Sequence, residues 1–258
     1  MRLQDKVLLI TGAAGGIGAA AAKICAGYGA KVVAMDLKEK ELQGTVEAIR
    51  AAGGEAISAV VDVTKRETVK QAIAKALDKY GKIDGLFNNA GVVKSCLLVE
   101  CSDEEYDFTM DINAKGSFIV ATEVAKVMIP NRSGRIISTS SISALREEST
   151  NGTYCMSKAA ISMMTRVLAL ELGQYNISCV AICPGHINTG LLRGSFEQRG
   201  AAEGKSVESF YEEMQATIPL DRLAEPEEVG EFVAFLFDDR SAYIDGNSIL
   251  FAGGKVMA

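Results

Sequence analysis

The chain has no tryptophan, one histidine, four prolines and no Cys-x-x-Cys pair. Each shortage excludes something. One histidine and no clustered thiolates leave no conventional zinc site, so no metal is expected. The six cysteines, at 25, 96, 101, 155, 179 and 183, show no disulfide framework. Cys179 and Cys183 lie four apart in an apolar run and read as buried filling, which fits a reducing cytoplasm. There is no basic run, and the net charge of -6 argues against nucleic-acid or anionic-membrane partners. Residues 7 to 22 carry no charge, but the run is shorter than a membrane span and holds Gly12, Gly15, Gly16 and Gly18.

Those glycines are the first positive signal. Val7-Leu-Leu-Ile10 reads as a strand, Thr11-Gly-Ala-Ala-Gly-Gly-Ile-Gly18 as a tight turn, and Ala19 to Cys25 as a helix. Glycines let the backbone approach a dinucleotide pyrophosphate, and free N–H groups at the helix start face it. An acidic residue about 20 positions on should hold the ribose hydroxyls. Asp36 closes the next strand, 18 residues after Gly18. Glycines packing a helix on a strand is the structural alternative.

Strand and helix patterns then alternate. Strands are expected at 6–11, 31–36, 55–61, 83–87, 134–140, 177–183 and 247–252, and helices at 17–28, 38–52, 65–80, 104–129, 153–174 and 226–237. Uninterrupted apolar strands imply burial on both faces. The fold class is therefore α/β: a single-domain, Rossmann-like, doubly wound parallel sheet of about seven strands, spanning 1–258. Sites in such sheets collect at the carboxyl ends of the strands. One stretch, about 189–220, breaks the rhythm with four glycines plus Phe196, Phe210, Tyr211 and Met214. It reads as a lid over the substrate, or as a surface excursion.

Tyr154-Cys-Met-Ser-Lys158 places a phenol and an ammonium on one helix face. A nearby cation favours the phenolate, which can take a proton from an alcohol. Ser138-Thr-Ser-Ser141 ends a strand, where a serine can donate to a substrate oxygen. Asn88-Asn-Ala-Gly91 ends another, and Asn113 falls inside a helical pattern, solvent-exposed or bending the helix if it carries no function.

With these motifs in order, the chain resembles the short-chain dehydrogenases/reductases of the compact type, over roughly residues 3 to 255. The matching features are Thr11-Gly-x-x-x-Gly-x-Gly18, Asp62-Val63, Asn88-Asn-Ala-Gly91, Asn113, Ser141, Tyr154-x-x-x-Lys158, and Pro184-Gly185 with Thr189. Gly12, Gly15 and Gly18 also match the spacing of longer sugar-nucleotide epimerases, but the chain length and the NNAG motif favour the compact type. The resemblance implies an oxidoreductase that moves a hydride between a nicotinamide and a secondary alcohol or ketone. It implies Tyr154 as acid/base, Lys158 lowering its pKa and binding the ribose, Ser141 orienting the reacting oxygen, and Asn113 holding a relay water. It implies Gly12, Gly15, Gly16, Ile17 and Gly18 at the phosphates, Asp36 and Leu37 at the ribose, and Asp62 and Val63 at the adenine. Asn89, Ala90 and Gly91 would line the cofactor, and Pro184, Gly185, Ile187 and Thr189 would meet the nicotinamide.

Asp36 would repel a 2′-phosphate, and positions where NADP-preferring relatives carry a basic residue hold Gly15 and Leu37, with Lys38 one residue too far along. NAD (NADH) is expected rather than NADP. Substrate walls are expected from Ser141, Ser143, Asn151, Tyr154, His186 and the lid. The lid aromatics suggest a hydroxysteroid or bile acid, with Arg193, Arg199 or Lys205 meeting an acidic tail. A polyol or diol is the alternative, with Ser95, Ser143, Glu147 and Asn151 as its polar wall. A 3-oxoacyl reductase and a catalytically silent scaffold stand behind these. The resemblance also implies a homotetramer, or a dimer, through the helices at 104–129 and 153–174.

Overall fold

The computed structural model describes residues 3–255, with the side chains of 198–203 outside the description. Seven parallel strands form one sheet in the order β3-β2-β1-β4-β5-β6-β7. They are β1 (Val7–Thr11), β2 (Lys31–Asp36), β3 (Glu55–Val60), β4 (Gly85–Asn88), β5 (Gly134–Thr139), β6 (Ile177–Pro184) and β7 (Ser248–Phe251). The order reverses between β1 and β4, which opens a crevice at their carboxyl ends.

Alternation along each strand builds two cores. Leu8, Ile10, Val32, Ala34, Phe87, Ile137 and Val180 face one side. There they meet α1 (Gly16–Gly27), α2 (Glu39–Ala51) and α9 (Pro226–Phe237). Val7, Leu9, Val33, Met35, Leu86, Ile136 and Cys179 face the other. They meet α3 (Arg66–Tyr80), α5 (Ser117–Asn131) and α6 (Gly152–Leu172). Both faces are covered, so the strands need no polar side. The small residues of α1, Ala19 to Ala22, let it lie close to α9.

Two regions depart from the sequence expectation. The helix expected at 104–129 is interrupted. α4 (Asp103–Met110), capped by a reciprocal Ser102–Glu105 box, runs into a π-helical turn at Asp111–Gly116 and then into α5. The stretch at 189–220 is not a glycine-rich loop but carries two helices, α7 (Gly190–Glu203) and α8 (Val207–Gln215). Phe196 stacks on Phe210 with centroids 5.6 Å apart, and Tyr211 meets Phe196 edge-on at 5.1 Å. Phe196 and Phe210 are buried. These aromatics form a small core of their own between α7 and α8.

Candidate active site

A cavity of about 720 Å³ lies at the carboxyl edge of the sheet, above the β1/β4 reversal. That volume suits a cofactor with a small substrate. The residues given cofactor or catalytic roles from sequence all line it except Gly18 and Asn113, and so do Ser143, Asn151 and His186.

The glycine turn fits a pyrophosphate. The α1 N-terminus has no side-chain cap, and Gly15, Gly16 and Ile17 face the cavity. A Cβ on Gly15 would meet nothing within 4 Å and would project into that space. Gly12 sits at φ +69, and a Cβ on it would lie 2.8 Å from Asn89 Nδ2. Gly18 works from behind: a Cβ there would fall 2.1 Å from the Gly12 carbonyl oxygen. Its glycine keeps helix and turn in contact, which is why it does not reach the cavity.

Asp36 ends β2 with its carboxylate tied down. Oδ2 accepts from the Ala14 N–H at 3.1 Å and Oδ1 from the Lys38 N–H at 3.0 Å. Leu37 and Glu41 line the same end. Asp62 accepts from the Thr64 hydroxyl and N–H at 2.7 and 3.0 Å. Those bonds, the hydroxyl's first, hold its carboxyl below the ordinary range. Thr11 Oγ1 accepts from the N–H groups of Asn89 and Ala90 at 2.8 and 2.9 Å, stitching β1 to the NNAG turn. A Cβ on Gly91 would lie 3.2 Å from Asn113 Oδ1 and 3.4 Å from Lys158 Nζ.

Tyr154, Lys158 and Ser141 converge at the floor. Ser141 precedes a 3₁₀ turn at Ile142–Ala144 and its Oγ accepts from the Ser143 N–H at 3.1 Å. Lys158 Nζ donates to the Thr139 carbonyl at 2.8 Å and sits 5.4 Å from the Tyr154 ring centre. Burial pushes the Tyr154 phenol up to about 12, while the Ser141 hydrogen bond pulls the other way. Burial brings the Lys158 ammonium down to about 8. The phenol is thus a neutral acid at neutral pH in the free protein. Further positive charge beside it would favour the phenolate.

Asn113 is fully buried in the π turn, neither exposed nor a mere helix bend. Its Oδ1 accepts from the Val92 N–H at 2.8 Å, and its Nδ2 donates to the Val92 carbonyl and to Ser157 Oγ at 2.9 and 3.0 Å. It joins the segment after the NNAG turn to α6. π turns recur at functional sites.

The substrate end differs from expectation. Among the described residues, Phe196, Phe210, Tyr211 and Met214 do not line the cavity; Leu191, Leu192 and Ser195 do. Glu148 lines it and Glu147 does not. Ser95 lies behind the wall, donating to Asn151 Oδ1 at 2.9 Å. Arg193 and Lys205 pair with Glu197 and Glu213, and the Arg199 side chain lies outside the described residues. Sequence reasoning missed Glu41, Thr139 and Glu148, while Leu191 and Leu192 fall within the expected 189–220 stretch. Only Glu41, acidic in the turn after Asp36, left a signal.

Comparison with known proteins identifies the family. The family model described as enoyl-(acyl carrier protein) reductase matches residues 12–255. The chain is 37% identical over 257 residues to a 3-oxoacyl-[acyl-carrier-protein] reductase FabG of Thermotoga maritima, covering 100% of both. It is 35% identical to an NAD-dependent glycerol dehydrogenase of Listeria innocua, covering 98% of this chain and 94% of that one. The structure of actinorhodin polyketide ketoreductase with NADPH superposes with a TM-score of 0.94 at 30% identity, covering 99% of each chain. The chain belongs to the compact short-chain dehydrogenases/reductases, oxidoreductases with a nicotinamide-binding Rossmann-like fold.

Proposed function

We propose that this protein is an NAD(H)-dependent dehydrogenase/reductase of a small polar secondary alcohol, such as a vicinal diol or polyol, and its ketone. The carrying observation is the half-buried Tyr154 beside buried Ser141 and Lys158 at one end of a cavity whose other end holds the fixed Asp36 carboxylate. A bound nicotinamide would accept or donate the hydride. Ser141 positions the reacting oxygen, and Tyr154 takes the hydroxyl proton in oxidation or returns it in reduction. Lys158 holds positive charge beside the phenol and favours its ionised form. Asn113 fixes the Val92 backbone and Ser157, and so the wall against which the substrate lies. In the same reading, Asn113 also keeps the relay water between Lys158 and solvent.

NAD is favoured over NADP because Asp36 and Glu41 would both face a 2′-phosphate, and like charges repel at that range. Leu37 offers no counter-charge. The relatives use either cofactor by their own names, one NAD and one NADPH.

The polar substrate is favoured by Ser143, Glu148, Asn151 and His186 on the cavity wall, and by lid aromatics that bury one another. That second point removes the basis of the hydroxysteroid expectation. An anionic substrate would meet Glu148 unfavourably.

The same reading takes 1–258 as one domain with its lid at 189–220, acting as a homotetramer or dimer in a reducing, cytoplasmic setting. Ala159, Ala160, Met163, Val167 and Leu170 expose a smooth apolar stripe on α6 suited to a second copy. All six thiols are free. Among the described residues no helix is long and apolar enough to cross a membrane.

The test is NAD⁺ reduction against vicinal diols, sugar alcohols, glycerol and hydroxysteroids, with NADP⁺ alongside and a 3-oxoacyl thioester with NADPH as a separate arm. Turnover of a diol or polyol with NAD⁺ is expected. Turnover confined to steroids, or to the thioester with NADPH, would contradict the substrate assignment. Cofactor binding without any turnover would point to a silent scaffold.

A further inference from the structure

A second group of reactive side chains lies beyond the catalytic floor. Sγ of Cys96, Sγ of Cys101 and a carboxylate oxygen of Glu105 all lie within 4.8 Å of one another. We propose that Cys96, Cys101 and Glu105 form a binding site for a thiophilic divalent cation of the zinc class.

The donors are anchored on all sides. Cys96 is held by a bridge to Asn151, its N–H donating to the Thr150 carbonyl at 2.7 Å. Cys101 immediately precedes Ser102, the N-cap of α4. Glu105 is fixed by the capping box: its N–H donates to Ser102 Oγ at 3.2 Å, and its Oε2 accepts from the Ser102 N–H at 3.3 Å. Oε1 remains for a ligand; its neighbour is Lys94 Nζ at 3.6 Å, on a side chain 43% exposed and able to swing aside. All three donors are partly buried, reachable by an ion yet sheltered from bulk water.

The chemistry is matched. Zinc takes thiolates at about 2.3 Å and carboxylate oxygens at about 2.0–2.2 Å, so tetrahedral donors stand roughly 3.5–4 Å apart. Small side-chain rotations reach that spacing. On binding, each thiol releases its proton to solvent as its metal–sulfur bond forms. Two thiolates and one carboxylate then face a divalent cation plus the Lys94 ammonium, and the local charge closes to neutral. The fourth position is left to water or an external ligand. No oxidant or reductant takes part.

The site bears on the substrate wall without touching the chemistry. Val92 and Val93 line the cavity a few residues before Cys96, and Ser95 holds Asn151. An ion at Cys96, Cys101 and Glu105 would join this wall to the start of α4.

The test is titration of the fully reduced, full-length protein with Co²⁺, a spectroscopic stand-in for zinc, followed by Zn²⁺. One equivalent of thiolate-to-cobalt charge-transfer absorption is expected, lost on adding one equivalent of Zn²⁺. Cys96→Ser and Cys101→Ser should each abolish the band with the circular dichroism spectrum unchanged. Glu105→Gln should weaken binding by about tenfold or more. Cys155→Ser, the other partly buried thiol, should leave the band intact. No band at stoichiometric Co²⁺, or a band that survives both Cys96→Ser and Cys101→Ser, would overturn the site. NAD-linked turnover plays no part in these readings, so failure here and failure of the proposed activity are separable.

Discussion

Asp36 and Lys158 show how single residues divide the work of the cavity. Asp36 directs both carboxylate oxygens at backbone N–H groups, which hold the side chain in place at the end of β2. Replacing it by alanine should raise kcat/KM with NADP⁺ relative to NAD⁺ by about tenfold or more, a shift of about 1.4 kcal/mol. Unchanged selectivity in parallel NAD⁺ and NADP⁺ assays would contradict the cofactor assignment. Lys158 is an ammonium held in a buried place, with Thr139 as its fixed acceptor. Its folded pKa, about 8, lies below its ordinary 10.5. Between these values the unfolded chain holds a proton that the folded chain has released, so this group's contribution to stability grows as pH rises from about 8. Lys158→Met should therefore be more stable than the parent at pH 7, by about 1–2 kcal/mol, and nearly inactive. The gap should narrow toward pH 10 in parallel melts; a gap independent of pH would refute the buried charge. Tyr154, Lys158 and Asp36 were legible in sequence because spacing on a helix and position at a strand end suffice to place them. Glu148 was not: Glu147 and Glu148 are adjacent, and nothing in the sequence says which one turns inward.

At the scale of elements, the turn into α1 separates two uses of glycine. Gly18 is required by packing, since its Cβ would strike the Gly12 carbonyl oxygen at 2.1 Å. Gly15 has open space. Gly18→Ala should destabilise the fold by about 2 kcal/mol or more. Gly15→Ala should melt within about 0.5–1 kcal/mol of the parent yet bind NADH more weakly, which thermal melts with and without NADH would show. Equal loss of stability in both variants would contradict this division. The lid carries a separate expectation. Phe196→Ala removes the centre of the Phe196–Phe210–Tyr211 cluster, at a cost of about 3 kcal/mol to the lid. Hydrogen exchange should rise across α7 and α8 while β1 and β4 stay protected. The lid helices were hidden because four glycines mask helical periodicity. The orientation of the aromatics was hidden because spacing gives a face, not what covers it. The π turn holding Asn113 was equally invisible: an inserted backbone turn leaves the residue pattern helical.

For the whole molecule, strand order decides where everything meets. Seven apolar strands and the helices between them already imply a parallel sheet, and the reversal between β1 and β4 puts the glycine turn beside the NNAG loop. Thr11 joins the two by bonds between residues 78 and 79 positions apart. The polar wall of the cavity arises only at this scale, from segments after β5 and β6. Sequence motifs name the cofactor end, built of backbone turns with fixed residue needs. They leave the substrate end open, because its lining depends on loop paths. Sedimentation should find a dimer or tetramer through α5 and α6; a monomer alone would remove that expectation.

The central claim is that Tyr154 moves the proton in a site that binds the cofactor independently of it. Tyr154→Phe keeps the ring and removes the hydroxyl. NADH binding, followed by its fluorescence, should stay within about twofold of the parent, a difference of about 0.4 kcal/mol. Turnover of the best alcohol should fall by about 10²–10⁴-fold. Ordinary turnover in this variant, with NADH bound as before, would contradict the account.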